Sequence, residues 1–163
     1  MNTGFPKAIT ADITIPASVS EVYRAWTTIE GIKSFFAPDA NIRMEVMGPY
    51  EMIFLPDNPP GLRGGEGNVI LTFQENEMLS FTWNAPPELN KVRNERTHIL
   101  LKFIPISDNE TRLLFQQDGW GKGDEWDKSF EYFNRAWKVV VLPRLKYRFT
   151  TGPVDWNNPP EFK

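Results

Sequence analysis

The chain has 163 residues, and its 18 lysine and arginine residues against 21 aspartate and glutamate residues give a formal net charge of −3. This balance gives no reason to expect nucleic acid as a partner. Cysteine is absent, which excludes disulfides, thiol nucleophiles and thiolate metal sites. With a single histidine, a zinc or iron centre is not expected either, and we predict no metal and no other cofactor.

The length is typical of one domain whose core needs no covalent cross-links. We predict that the domain spans residues 1–150 and that residues 151–163, rich in proline and asparagine, form an irregular tail. No apolar run approaches the ~20 residues that cross a bilayer. The N-terminal sequence MNTGFPKAIT lacks the basic start and apolar stretch of a signal peptide. We therefore expect a cytoplasmic protein without a membrane span.

The chain begins with a strand and two short helices. Residues 9–15 (ITADITI) alternate between apolar and polar side chains, as in a strand with one buried face. Ser18 and Glu21 have the spacing of a capping box, which predicts a helix of about ten residues. A second short helix is predicted over residues 28–38, where Pro38 closes it.

A run of strands follows, recognised by the same alternation. The predicted strands are residues 41–46, 50–55, 68–74, 78–84, 96–106 and 111–120. Residues 56–67 and 84–95 are too rich in proline, glycine and polar side chains for regular structure, and we predict that they are loops. Successive strands with short connections favour an antiparallel sheet.

From Asp124 onward, apolar side chains recur every three or four residues instead of every second residue. This spacing predicts an amphipathic helix of about 20–25 residues, with Asp124 as its N-cap and one aromatic face. Pro143 lies inside it and should kink or divide the helix. The aromatic and apolar face carries Trp126, Phe130, Phe133, Trp137 and Leu145.

The stretch before this helix, DGWGKGDEWD at residues 118–127, resembles a glycine-rich phosphate loop at first sight. However, Asp124, Glu125 and Asp127 occupy the first helical turn, where their carboxylates take the positive end of the helix dipole. The Walker spacing is also missing. We therefore interpret the glycines as a tight turn from strand to helix and exclude a phosphate site.

The order of elements, read with three quoted segments, resembles the helix-grip fold of the START-like SRPBCC superfamily. More narrowly, it resembles the branch named after the activator of heat-shock protein 90 ATPase. The segments are ITIPASVSEVYRAWT, GEGNVILTFQENEMLSFTWNAPP and TRLLFQQDGWGKGDEWDKSFEYFNRAWKVVVLPRLK. The resemblance implies an α+β fold in which a curved antiparallel sheet of about six or seven strands wraps a long C-terminal helix. Two short helices follow the first strand.

The resemblance also implies a chamber between sheet and helix, because members of this superfamily hold apolar small molecules there. The two predicted loops would border its mouth. Alternatively, the large rings of the helix fill the chamber and leave an ordinary core. The residues expected to line it are Tyr50, Met52, Phe54, Leu71, Phe73, Phe81, Trp83, Ile99, Leu101, Phe115, Gln117, Phe130, Phe133 and Trp137.

Few side chains suggest chemistry. Gln117 shares the parity of its inward neighbours, so it either hydrogen-bonds a ligand or faces a loop at the strand end. Tyr50 offers a hydroxyl to the chamber or belongs to the core. His98 is isolated on its strand, and no nucleophile or carboxylate pair stands in a catalytic context. We predict no catalytic residues.

Three functions are compatible with these features. The first is binding of a hydrophobic small molecule in the chamber. The second is an enzyme acting there on a polyketide-like or aromatic substrate, since such enzymes of the superfamily use scattered residues rather than a motif. The third is a co-chaperone-like partner of heat-shock protein 90, although that activity belongs to larger proteins with an additional domain. A protein partner or a homodimer is compatible with each.

Overall fold

The structure, a computed structural model, describes residues 7–163. Its elements, in chain order, are β1 (Ile9–Ile15), α1 (Val19–Thr27), α2 (Ile29–Lys33), β2 (Asp39–Ile42), β3 (Tyr50–Ile53), β4 (Ile70–Gln74), β5 (Met78–Trp83), β6 (Thr97–Ser107), β7 (Glu110–Asp118), α3 (Asp124–Arg135), a π-helical segment (Ala136–Val141) and α4 (Leu142–Thr150). Within this part of the chain, no helix is both long enough and apolar enough to cross a membrane.

The strands form a five-stranded sheet in the order β1-β7-β6-β5-β4 and a two-stranded sheet of β2 and β3. Every pairing is antiparallel. A bridge between Pro49 and Val69 links the two sheets. The predicted α+β class with an antiparallel sheet and a long C-terminal helix is therefore confirmed.

The strand predicted over residues 41–46 is wrong beyond Ile42. The chain turns there: Met47 has a φ of 66°, and the N–H of Gly48 donates to the Glu45 carbonyl at 2.9 Å. Alternation in the sequence continues through this turn, so it could not mark the end of the strand.

The direction of Leu71 was also predicted wrongly. Ile70 pairs with Phe81 and Thr72 pairs with Ser80, so Leu71 is the extra residue of a β-bulge. The bulge exchanges the two faces of β4 at this point. Ile70 is fully buried, whereas Leu71 lies outside the hydrophobic core.

The N-terminal helices close one end of the sheet with aromatic rings. The predicted capping box of α1 is present, with the backbone N–H of Glu21 donating to Ser18 Oγ at 3.3 Å and that of Ser18 donating to Glu21 Oε2 at 3.0 Å. Trp26 at the end of α1 and Phe36 after α2 are buried, with ring centroids 5.5 Å apart. These rings fill much of the concave side of the sheet.

The long C-terminal helix lies across the same concave side. The ring of Trp137 packs on Phe115 of β7 at 4.7 Å and on Phe36 at 5.5 Å. The helix starts at Asp124, as predicted, but its N-cap is Gly123, with a φ of 116° and no side-chain cap. Asp124 is thus the first helical residue, and its predicted role as N-cap is wrong.

Close to Pro143 the long helix changes from α-helical to π-helical hydrogen bonding and back, and this divides it into α3 and α4. In the π-helical segment the N–H of Leu142 donates to the carbonyl of Trp137, five residues back. α4 then begins at Leu142, with Pro143 in its first turn. A proline is tolerated there because N–H groups of a first turn have no partner inside the helix.

Residues 151–163 contain no helix or strand and pack on α2 and α4. The N–H of Val154 donates to the Ser34 carbonyl at 2.9 Å. The indole N–H of Trp156 donates to the Lys33 carbonyl at 2.6 Å. Its ring lies 5.5 Å from the Arg144 guanidinium carbon.

Candidate ligand-binding cavity

A cavity of about 390 Å³ lies between the long helix, the end of β5 and two loops. Most of its wall is hydrocarbon and aromatic ring. The lining residues are Phe36, Phe54, Leu55, Gly64, Gly65, Trp83, Asn84, Ala85, Pro86, Pro87, Glu88, Tyr132, Phe133, Ala136, Trp137, Val140, Val141 and Arg144.

One wall is a stripe along the long helix, from Tyr132 to Arg144. Its members recur at steps of three and four, so they share one face of the helix. Twelve residues at about 1.5 Å per residue make this wall roughly 18 Å long. Tyr132, at one end, is 53% exposed, which places that end of the cavity at the protein surface.

The opposite wall depends on Phe36, a residue that we did not single out in the sequence. Its ring centroid lies 5.8 Å from that of Phe54, 5.7 Å from that of Trp83 and 5.5 Å from that of Trp137. Phe36 therefore contacts three other lining rings and closes the floor of the cavity. In the sequence it belongs to an apolar pair near the end of the helix predicted over residues 28–38, where no periodicity marks it as a lining residue.

Both predicted loops contribute to the cavity, and Arg93 connects them. Its guanidinium donates to the carbonyl of Ala85 in its own loop and to that of Gly64 in the other, the latter at 3.1 Å. Asn84 Nδ2 donates to the same Gly64 carbonyl at 3.0 Å. Burial lowers the pKa of Arg93. These bonds hold the rim in place without help from a ligand.

Gln117 faces inward, which is one of the two orientations that its position on the strand left open, but it does not line the cavity. Its Nε2 donates to Thr97 Oγ1 at 2.9 Å, and its Oε1 accepts from Trp137 Nε1 at 2.8 Å. Gln117 is fully buried. Gln117 therefore fixes the orientation of the Trp137 ring, and Trp137 does line the cavity.

Tyr50 likewise faces the core. Its hydroxyl donates to the carbonyl of Trp26 at 2.7 Å, and burial raises its pKa well above the ordinary value. Trp26 lies in the last turn of α1, where carbonyl groups lack helical partners. The hydroxyl therefore caps a helix end. His98 is exposed on the outer side of the sheet.

Four of the fourteen residues expected to line the chamber do so: Phe54, Trp83, Phe133 and Trp137. The others, apart from Leu71, belong to the hydrophobic core or pack on it, away from the cavity, and are Tyr50, Met52, Phe73, Phe81, Ile99, Leu101, Phe115, Gln117 and Phe130. The interior is thus partly filled by rings, and the open space lies closer to the loops than the strand pattern predicted.

The polar atoms around the cavity are unevenly satisfied. In the described part of the chain, three enclosed side-chain nitrogens have no hydrogen-bond partner, and two of them, Trp83 Nε1 and Arg144 Nε, belong to lining residues. Burial also lowers the pKa of Arg144, partly offset by the carboxylate of Glu161. Between residues 7 and 163, no group of three or more metal-ligating side chains is placed to hold a metal ion.

Solved structures with the same architecture share little sequence identity with this chain. A protein from Mesorhizobium loti superimposes with a TM-score of 0.67 at 16% identity, over 86% of this chain and 94% of that one. The Aha1 dimer from Colwellia psychrerythraea gives 0.66 at 22% identity, over 90% and 98%. An HSP90 activator from Plasmodium falciparum gives 0.61 at 14% identity, over 85% and 94%. At these identities the likeness shows the fold alone.

Family membership rests on the sequence itself. Among curated proteins, none is significantly similar to this chain. Residues 16–149, from the end of β1 to α4, match the family described as Activator of Hsp90 ATPase homolog 1-like protein. That match includes both loops and every residue that lines the cavity. The chain therefore belongs to the Activator of Hsp90 ATPase homolog 1-like family.

Proposed function

We propose that this protein binds a hydrophobic small molecule in the cavity between its long helix and its loops. The observation that carries the proposal is a space of about 390 Å³ lined mainly by aromatic rings and hydrocarbon. Pockets for small ligands typically measure about 300–1,000 Å³, are largely apolar and contain a few polar groups. The cavity has each of these properties.

Small residues keep the space open. Gly64 has a φ of 131°, and a Cβ there would lie 2.5 Å from the Phe54 ring. Across the cavity, Ala136 stands in the stripe between Phe133 and Trp137. A larger side chain at this helix position would project into the space. This makes Ala136 the most direct place to test the proposal.

The test is binding of the neutral fluorescent probe N-phenylnaphthylamine to the purified protein. Saturable binding is expected for the wild type. Ala136→Phe should weaken binding by about tenfold or more, because the new ring occupies the cavity. Arg135→Phe adds the same ring at an exposed position of the same helix and should bind the probe like the wild type.

Thermal unfolding of each variant shows whether the fold is kept. Val140→Phe offers a second filling position in the same stripe if Ala136→Phe does not fold. Absence of probe binding by the folded wild type would contradict the proposal. So would equal binding by the wild type and a folded filling variant.

A co-chaperone-like interaction with heat-shock protein 90 is the second candidate, and the family's description supports it. The measurement is the ATPase rate of heat-shock protein 90 with and without the protein. Stimulation that persists in a cavity-filled variant would favour this function over ligand binding. The enzymatic alternative has less support, because the polar groups of Gln117 and Asn84 are engaged within the protein.

A further inference from the structure

The two ends of the cavity carry opposite charges. Glu88 lines it close to Tyr132, whose pKa is raised by burial and then by the Glu88 carboxylate. Arg144 lies at the other end of the helical stripe. It is 12 residues beyond Tyr132, a distance of roughly 18 Å along the helix axis at about 1.5 Å per residue. It is the only cationic residue among those that line the cavity.

Arg144 makes no direct ion pair, although the carboxylate of Glu161 lies near enough to raise its pKa slightly against the effect of burial. The ion pairs of residues 7–163 are Lys7–Asp127, Arg43–Glu45 and Arg112–Asp12, so Arg144 takes part in none of them. The Trp156 ring lies 5.5 Å from its guanidinium carbon, and its enclosed Nε has no acceptor within the same range. A half-buried cation normally pairs with an anion, because leaving water costs it free energy.

Apart from the enclosed, unpartnered Nε1 of Trp83, the walls between the two ends offer little to a polar ligand. Asn84 uses its Oδ1 to accept from Asn68 and its Nδ2 to donate to Gly64. The rest of the helical wall between Tyr132 and Arg144 is Phe133, Ala136, Trp137, Val140 and Val141. The middle of the cavity therefore fits an apolar body, and the available charge-assisted donors are confined to Arg144.

We propose that the ligand is an amphipathic carboxylate, with its acid group against the guanidinium of Arg144 and its apolar body along the stripe toward Tyr132. This proposal rests on the proposed function. A guanidinium suits it because its planar fork donates two parallel hydrogen bonds to one carboxylate. The Glu88 end of the cavity repels a second acid group, which favours a monocarboxylate over a diacid.

The experiment compares two competitors with the same apolar chain, dodecanoate and dodecanol, in displacing N-phenylnaphthylamine at neutral pH. The wild type should bind dodecanoate about tenfold more tightly than dodecanol, or about 1.4 kcal/mol. Arg144→Gln should abolish this preference, because it weakens dodecanoate binding much more than dodecanol binding. Lys146→Gln removes a charge from an exposed position two residues away and should keep the preference.

The outcomes separate the two proposals. If the probe binds but the wild type does not prefer dodecanoate, or Arg144→Gln keeps the preference, the carboxylate proposal is wrong and the proposed function stands. If the folded wild type does not bind the probe, both fail. Arg144→Lys adds a further check, since a lysine keeps the charge and loses the fork, and an intermediate preference is expected.

Discussion

The indole N–H of Trp137 donates to Oε1 of Gln117 at 2.8 Å, so the long helix is hydrogen-bonded to β7, an inner strand of the sheet, near the end of that strand. Gln117 in turn donates to the Thr97 hydroxyl on β6. Two strands and the helix thus share one buried amide. This amide fixes the orientation of the ring that forms part of the cavity wall.

Replacing this amide should be costly. Gln117→Leu leaves the Trp137 N–H buried without an acceptor, and we expect the free energy of unfolding to fall by about 2–3 kcal/mol in urea denaturation. Gln116→Leu, at an exposed position of the same strand, should change it by less than about 0.5 kcal/mol. Equal effects of the two substitutions would show that the buried amide has no special role.

The hydroxyl of Tyr50 should contribute less to the free energy of unfolding than the side-chain amide of Gln117. Tyr50→Phe keeps the ring and removes the bond to the Trp26 carbonyl, and we expect a loss of about 1 kcal/mol. The half-buried Tyr147 donates no hydrogen bond within residues 7–163, so Tyr147→Phe serves as the control and should be nearly neutral. Stability of Tyr50→Phe equal to the wild type would contradict a capping role for this hydroxyl.

Replacing Gly123 with any other residue should destabilise the protein, because of the backbone dihedral angles at this position. Its φ of 116° with ψ of 173° is a conformation essentially confined to glycine. Apart from Gly123 itself and its two chain neighbours, no atom lies within 4 Å of the position that a Cβ would take there, so Gly123→Ala costs backbone strain of about 1–3 kcal/mol rather than a clash. Lys122→Ala, at the preceding exposed position, should be nearly neutral. Thermal unfolding of the pair measures the difference.

The loop at the cavity rim should loosen in acid. Burial acts to raise the pKa of Glu66, but backbone N–H groups of Gly61, Arg63 and Gly64 outweigh it and lower the pKa below its ordinary value of 4.5. A lowered pKa in the folded state means that the ionised carboxylate stabilises the fold above pH 4.5. This contribution is lost as the pH falls through the folded-state pKa.

The substitution Glu66→Gln removes the ionisable carboxyl group, and with it this dependence of stability on pH. We expect the free energy of unfolding to fall less steeply with decreasing pH below 4.5 in Glu66→Gln than in the wild type. Glu131→Gln removes the same charge from an exposed helix position that makes no side-chain hydrogen bond in the described chain. Parallel pH curves for the wild type and Glu66→Gln would exclude this role for Glu66.

The periodic parts of the molecule could be predicted from the sequence, because alternation and helical spacing report which side chains leave water. β1, α1 with its capping box and the long C-terminal helix are examples. Prediction failed at Leu71 and beyond Ile42, where a bulge and a turn interrupt the backbone beneath an uninterrupted apolar pattern.

The cavity could be predicted only in outline. Alternation assigns a side chain to a face of the sheet, but open space depends on what the opposite elements put there. Trp26, at the end of α1, and Phe36, after α2, are both buried with their rings in contact, and they occupy part of the space that the strand pattern had left open. The space that remains faces the loops, where Pro86, Pro87 and Gly64 follow no period. Its position is therefore a property of packing between distant segments.

The π-helical segment has a consequence for the length of the chain. Buried side chains along the helix recur at intervals of four, at Ser129, Phe133, Trp137, Val141 and Leu145. In uniform α winding, each interval of four would drift by about 40° around the axis, at about 100° per residue. The wider turn absorbs about one residue and cancels much of that drift. The segment between Ala136 and Val141 thus contains one residue more than uniform α winding needs. Deleting one residue there would leave both halves of the helix packed against the sheet. Inserting one residue would turn Leu145 toward solvent.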